Sequence, residues 1–261
     1  MSKVIMVSSF KGGVGKTTLT AALAVQLAAR GKKTVAVDMD FGTRGLDIAL
    51  GAENLVSGNV LELLRGTATP EEAEVQTNRE NLCFVPAPSA FSVSDLEGID
   101  GSRFDEALSA LAEKTDIVLL DMPAGNSFFY EMLRGSKAVN YALVVTTDNV
   151  NAVRAAEKTA SELSMRGIGN IRLLINSYDL SEPDRNNGSI VTIIKKTSVP
   201  VIGVVPYSPA AERATADSKT LSDIKKDAAG IACGNIAGRI CGERIALLHG
   251  VVKPKKRLRF Y

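Results

Sequence analysis

Ser9-Phe10-Lys11-Gly12-Gly13-Val14-Gly15-Lys16-Thr17-Thr18 lies between two segments of different periodicity. Before it, the apolar run Val4-Ile5-Met6-Val7 predicts a buried strand; after it, Leu19-Thr20-Ala21-Ala22-Leu23-Ala24-Val25 predicts a helix. A glycine-rich turn at that junction is a phosphate cradle. Glycines let the backbone curl so that successive N–H groups face anionic oxygens, and the helix dipole adds positive charge at the same place. Lys16 would reach the β- and γ-phosphates, and the Thr17 hydroxyl would ligate Mg²⁺.

The same alternation continues along the chain. Strands are predicted at Lys3–Ser8, Thr34–Asp38, Leu82–Pro86, Ile117–Asp121, Tyr141–Thr146, Ile171–Asn176 and Val201–Val205. Helices are predicted at Lys16–Arg30, Asn59–Arg65, Pro70–Val75, Arg103–Lys114, Ser127–Gly135, Asn151–Arg166, Ile190–Lys195 and Asp227–Leu248. Gly31 stands where a left-handed residue closes the first helix, Gly167 ends the helix from Asn151, and Thr69-Pro70-Glu71-Glu72 reads as a capping box. Ser181–Ser189 reads as a surface loop. The pattern implies an α/β fold: a mostly parallel twisted sheet with helices on both faces. Residues 1–250 form one domain and 251–261 a basic tail.

In such sheets ligands gather at the carboxyl ends of the strands. Polar residues and turn formers collect at those ends: Asp38-Met39-Asp40, Asp121-Met122-Pro123-Ala124-Gly125, Asn176-Ser177-Tyr178 and Pro206-Tyr207. Asp121, closing an apolar strand, suits the carboxylate that holds a divalent cation during phosphoryl transfer. Asp38 and Asp40 share one face, because strand side chains alternate.

With 261 residues the chain can bury a large core, and its 45% hydrophobic and 23% charged content is that of an ordinary globular protein. A net charge of +2 gives no global field for nucleic acid or membrane. Cys83, Cys233 and Cys241 are few and scattered, which suits a reducing cytosol and no disulfide framework. Lys11 interrupts the first apolar stretch, against a signal peptide. No apolar run is long enough to span a bilayer.

The loop is not the plain phosphate-loop pattern, because Phe10 stands where that pattern has glycine. Its Lys11-Gly12-Gly13-x-Gly15-Lys16-Thr17 form resembles the deviant Walker A loop of the MinD/ParA family of P-loop ATPases, of SIMIBI type. Lys11–Thr18, Val37–Asp40, Arg44–Asp47, Asn81–Pro86, Asp121–Gly125 and Gly203–Pro206 follow in the family's order and spacing. The resemblance implies an ATP- and Mg²⁺-dependent switch that dimerises on ATP, with Lys11 crossing to the partner subunit's nucleotide. It implies that Gly12, Gly13, Val14, Gly15, Lys16, Thr17 and Thr18 hold phosphate. Thr17, Asp38 and Asp121 would serve the metal, and Asp40 would orient the attacking water. Lys11, Lys16 and Asp40 are then the catalytic set. Gly125 would sense the γ-phosphate, and Asn176, Pro206 and Tyr207 would meet adenine.

The family's role is to position cargo from the cytoplasm, in part from the inner face of the cell membrane, with a protein effector and activator. Division-site placement ranks first and DNA or plasmid partition second; Lys195-Lys196 and Lys225-Lys226 are modest candidates for a basic DNA face. This chain departs from the family at Gly45, where an asparagine is usual, and in the segment Thr146–Asn151. It also stops near where the family's amphipathic membrane helix begins. Lys253–Tyr261 is basic but broken by Pro254, so a solvated tail is expected. Two other classes share the loop. Metallocluster ATPases need cysteines that meet across a dimer axis, and a non-hydrolysing adaptor would not need Asp38, Asp40 and Asp121. His249, the sole histidine, is read as a helix-terminus residue.

Overall fold

Eight strands form one sheet in the order β3-β4-β2-β5-β1-β6-β7-β8 in the computed structural model, which describes residues 2–53, 58–125, 128–134, 136–181, 189–216, 219–224 and 226–251. The strands are β1 (Lys3–Ser8), β2 (Thr34–Asp38), β3 (Val75–Gln76), β4 (Leu82–Val85), β5 (Ile117–Asp121), β6 (Tyr141–Thr146), β7 (Ile171–Tyr178) and β8 (Val201–Pro206). All pairings are parallel except that of the two-residue edge strand β3 with β4. The helices are α1 (Lys16–Ala28), α2 (Leu46–Leu50), α3 (Val60–Arg65), α4 (Pro70–Ala73), α5 (Gly101–Lys114), α6 (Phe128–Met132), α7 (Val150–Met165), α8 (Ile190–Thr197), α9 (Pro209–Ala216) and α10 (Ala228–Ile240).

The apolar runs read as strands are buried on both faces, and their alternation divides the interior into two cores. From β1, Val4 and Met6 face the core under α3, α5, α6, α7 and α8, whereas Ile5 and Val7 face the core under α1, α2 and α10. The sheet is therefore covered on both sides, as the alternation of elements predicts. β1 lies between β5 and β6, where successive connections turn to opposite sides. The carboxyl end of β1 thus opens at the switch point of the sheet.

Several boundaries follow the local chemistry read from sequence. Gly31 and Gly167 have φ of 73° and 95°. Thr69 and Glu72 form the reciprocal capping box, with Pro70 at the first helical position. Asn59 and Glu62 form a second box at α3.

Three expectations are corrected. The helix predicted over Asp227–Leu248 stops at Ile240. Gly242 turns left-handed with φ 94°, and Glu243 N–H bonds back to Gly238 O. The chain then folds over α10, so His249 lies in a turn and not at a helix terminus. Pro70–Val75 is shorter than predicted, because Val75 leaves the helix to pair with Phe84 in the sheet. The short helices α2 and α9 and the edge strand β3 are additions. Cys83 is only half-buried, since β4 has just the two-residue β3 as its outer neighbour. Ser127, Gly135, most of the Ser181–Ser189 loop, Lys225 and the tail from residue 252 fall outside the described residues.

Candidate functional site

The loop between β1 and α1 takes the shape its glycines allow. Gly13 and Gly15 have φ of 74° and 91°, a region that side chains with a Cβ rarely enter. Gly15 is the N-cap of α1, with no side-chain cap and no acidic residue in the first turn. The first amides and the dipole of α1 therefore remain available to an anion. A Cβ on Gly12 would lie 3.7 Å from the Ala124 Cβ, so the loop runs alongside the Pro123–Gly125 segment. Gly125 is itself left-handed, with φ 82°.

The charges beneath the loop converge. Lys16 is 8% exposed, and burial lowers its ammonium pKa against the opposing pull of Asp121 and Asp40. Asp121 is buried, and burial pushes its carboxyl up to about 7; the Thr17 hydroxyl pulls it down, Asp38 pushes it up, and Lys16 and Thr20 pull it down. Thr20 donates from Oγ1 to Asp121 Oδ1 at 3.2 Å. Asp121 Oδ2 is buried without a hydrogen-bond partner. A buried carboxylate oxygen left unpaired beside a threonine hydroxyl suits Mg²⁺ or its coordinated water.

Asp38 is register partner to Asp121 across β2 and β5, and burial pushes it up to about 6. Both its oxygens are engaged by the loop that follows. Oδ1 accepts from Asp40 N–H at 3.0 Å, and Oδ2 accepts from Leu46 N–H at 3.1 Å. Asp38 thus shapes the turn that carries Asp40, and this structure shows it bonded to backbone amides. Asp40 accepts the N–H groups of Thr43 and Arg44 on its carbonyl, and that of Gly42 on Oδ1. Gly45, the N-cap of α2, sits against Thr17: a Cβ there would lie 3.6 Å from Thr17 Cγ2, an ordinary contact.

A cleft of about 170 Å³ extends from the loop and brings Gly13, Gly15 and Thr18 together with Asn176, Pro206 and Tyr207. The three residues expected to meet the base therefore share one space with the cradle. Sequence reading missed Ser208, Ala211, Leu221 and Ala229 in its wall. None carries a local signature, because α9 and the start of α10 reach the cleft only through the tertiary fold. It also missed Thr20, one helical turn beyond Lys16, whose spacing could have been read from the helix period.

Phe10, the departure from the plain loop pattern, anchors the loop. Its N–H donates to Thr159 Oγ1 of α7 at 3.0 Å, and its ring meets Tyr130 edge to face at 5.2 Å. Tyr130 in turn shares a hydrogen bond with Ser8. Lys11 is exposed, and among the described residues its ammonium makes no ion pair.

The cysteines stand apart from this site and from one another. Cys233 is buried in the α1–α10 core, with its thiol pushed up to about 12 by burial. Cys83 donates to Gln76 at the far edge of the sheet. Lys195 and Lys196 occupy the last turn of α8, where cations offset the helix dipole. No helix among the described residues is long and apolar enough to cross a membrane.

Residues 5–221 match the family of CobQ/CobB/MinD/ParA nucleotide binding domains. The chain is 33% identical over 251 residues to the septum site-determining protein MinD of Synechocystis sp., covering 95% of this chain and 92% of the relative. The MinD fold in the MinC:MinD complex of Aquifex aeolicus superimposes with a TM-score of 0.84 at 28% identity, over 94% of this chain and 98% of that one. MinD of Pyrococcus horikoshii, solved with Mg-ADP, gives a TM-score of 0.79 at 27% identity, over 92% and 96% of the two chains.

Proposed function

Because this chain belongs to the CobQ/CobB/MinD/ParA nucleotide-binding family, we propose that it is a MinD-like ATPase switch that takes part in placing the cell-division site. It binds ATP with Mg²⁺, in keeping with the Mg-ADP complex of its structural relative. The observation that carries the reading is the convergence of buried Lys16 and the unpaired Asp121 Oδ2 beneath an uncapped helix N-terminus.

Each residue has a chemical task. The amides of Gly12–Thr18 cradle the phosphates, and Lys16 places its charge on the β- and γ-oxygens. Thr17 and Asp121 would hold Mg²⁺, which would supply positive charge to offset that developing on the phosphate oxygens. Asp38 fixes the Asp40 turn through two backbone amides, and Asp40 orients the water that attacks the γ-phosphate. Lys11 projects from the loop surface and, in an ATP-bound homodimer, reaches the nucleotide of the partner subunit. The hydrolysis products are ADP and phosphate. A protein effector docks on the ATP state; a related structure is a complex of MinC with MinD. Residues 1–250 act as the ATPase domain, the basic tail from 251 follows it, and the switch works in the cytoplasm at the inner face of the membrane.

Sedimentation of the Asp40→Ala protein tests the switch. With ATP and Mg²⁺ it forms a dimer that ADP does not support and that Lys11→Ala weakens. A monomer under every condition, together with wild-type phosphate release no faster than in Lys16→Ala, overturns the proposal.

A further inference from the structure

Asn176 stands where β7 loses its regular pairing. The register with β8 shifts between Ile175 and Tyr178, and Ser177 turns left-handed with φ 51°. Such an irregularity re-aims the side chains beside it. Here the Asn176 amide is brought to the phosphate loop, where Nδ2 donates to the Val14 carbonyl at 2.9 Å. The contact is close. A Cβ placed on Gly15 would come within 2.3 Å of Asn176 Nδ2. Glycine at 15 is thus required twice, by its φ of 91° and by the amide lying against its α-carbon.

The Val14 carbonyl belongs to the peptide that leads into Gly15, the N-cap of α1. That peptide is planar and trans, so its C=O and N–H point in opposite directions. A bond that draws the Val14 oxygen toward β7 therefore turns the Gly15 N–H away from β7. Without the amide, Val14 O, on a residue 3% exposed, would lose its partner, and the Val14–Gly15 peptide, which runs into a left-handed glycine, could rotate.

We infer that Asn176 is a positioning residue for the phosphate cradle: by holding the Val14–Gly15 peptide it orients the loop amides for a polyphosphate, independently of any contact it makes with a base. The inference rests on the proposed nucleotide cleft.

Two measurements on Asn176→Ala and Asn176→Asp, with folding checked by melting, test it. The first is the affinity for Mg²⁺-tripolyphosphate, which has no base, beside that for Mg²⁺-ATP. Loss of one hydrogen bond to a part-buried acceptor predicts about tenfold weaker binding of tripolyphosphate and at least as large a loss for ATP. The second is hydrogen exchange of the nucleotide-free proteins. Amides 13–17 exchange faster in the variants, while those of β1 and β5 do not change. If ATP binding alone weakens and amides 13–17 exchange as in the wild type, Asn176 reads only the base and the inference is wrong. Failure of the wild type to bind ATP overturns the nucleotide reading instead, and the exchange comparison still decides the role of Asn176.

Discussion

Asp38 and Asp121 are register partners at the carboxyl ends of adjacent parallel strands, each 1% exposed. Burial pushes the two carboxyls up to about 6 and about 7, and the Asp38 charge adds to the rise at Asp121. In the unfolded chain an aspartate titrates near 3.9. Between these values the folded protein holds more protons than the unfolded one, so the stability these groups supply is fully present below about pH 4. It is lost as pH rises through 6 to 7. Relative to Asp121→Asn, the wild type should therefore lose roughly 1 kcal/mol or more between pH 5 and pH 8 without nucleotide. Urea midpoints of both proteins at the two pH values check this. Parallel midpoints would show that Asp121 is not perturbed.

Lys16 is buried at the foot of the loop with Asp121 and Asp40 as its opposing charges. In the proposed ATPase its ammonium acts on phosphate charge. Lys16→Ala should lower ATP turnover by on the order of 100-fold or more while leaving the far-ultraviolet dichroism unchanged. Phosphate release under saturating Mg²⁺-ATP measures it, and near-normal release would exclude Lys16 from the chemistry.

Gly203 and Ile236 fit only because one of them lacks a side chain. A Cβ on Gly203 would lie 2.2 Å from Ile236 Cγ1, on a side chain fully buried between α10 and β8. Gly203→Ala should cost about 1–3 kcal/mol by overpacking. Adding Ile236→Ala, which is costly alone, should give a double variant less destabilised than the sum. A double-mutant cycle in urea yields the coupling, and strict additivity would rule out the clash.

Arg239 holds the chain after α10 to the sheet. Its Nη1 donates to Ile202 O at 2.8 Å, its Nε to Ile245 O at 3.0 Å, and its Nη2 to Ala246 O. Replacing Arg239 by Met removes three charge-assisted bonds and should cost about 2–4 kcal/mol, with faster hydrogen exchange over 243–251. Lysine cannot restore the fork. Slow exchange of that segment in Arg239→Met would show that other contacts hold it.

Much of the site was legible before any coordinates. Seven of the eight strands follow from short apolar runs that need burial on both faces, whatever their neighbours. The loop from Lys11 to Thr18 is legible because positive φ demands glycine at 13 and 15, and because a strand-to-helix junction can take few shapes. The Asp38, Asp121 and Asn176 positions follow from where each strand must end. The two-residue strand β3 and the short helices α2 and α9 were not legible. Segments of so few residues are stabilised by what they pack against, not by periodicity of their own.

Local sequence determined the elements, the caps and the phosphate cradle, because dihedral preference and apolar spacing act over a few residues. Only the tertiary structure decided that Asp38 gives its oxygens to the Asp40 turn and that Phe10 hangs the loop on α7. It alone decided that Asn176 holds the Val14 carbonyl. Those contacts join residues as far as 162 positions apart, and no pairing across such a distance is written in either segment alone. They come into being when a parallel sheet brings the strand ends to one edge and excludes water there, so that each buried polar group must bond to whatever the fold has placed beside it.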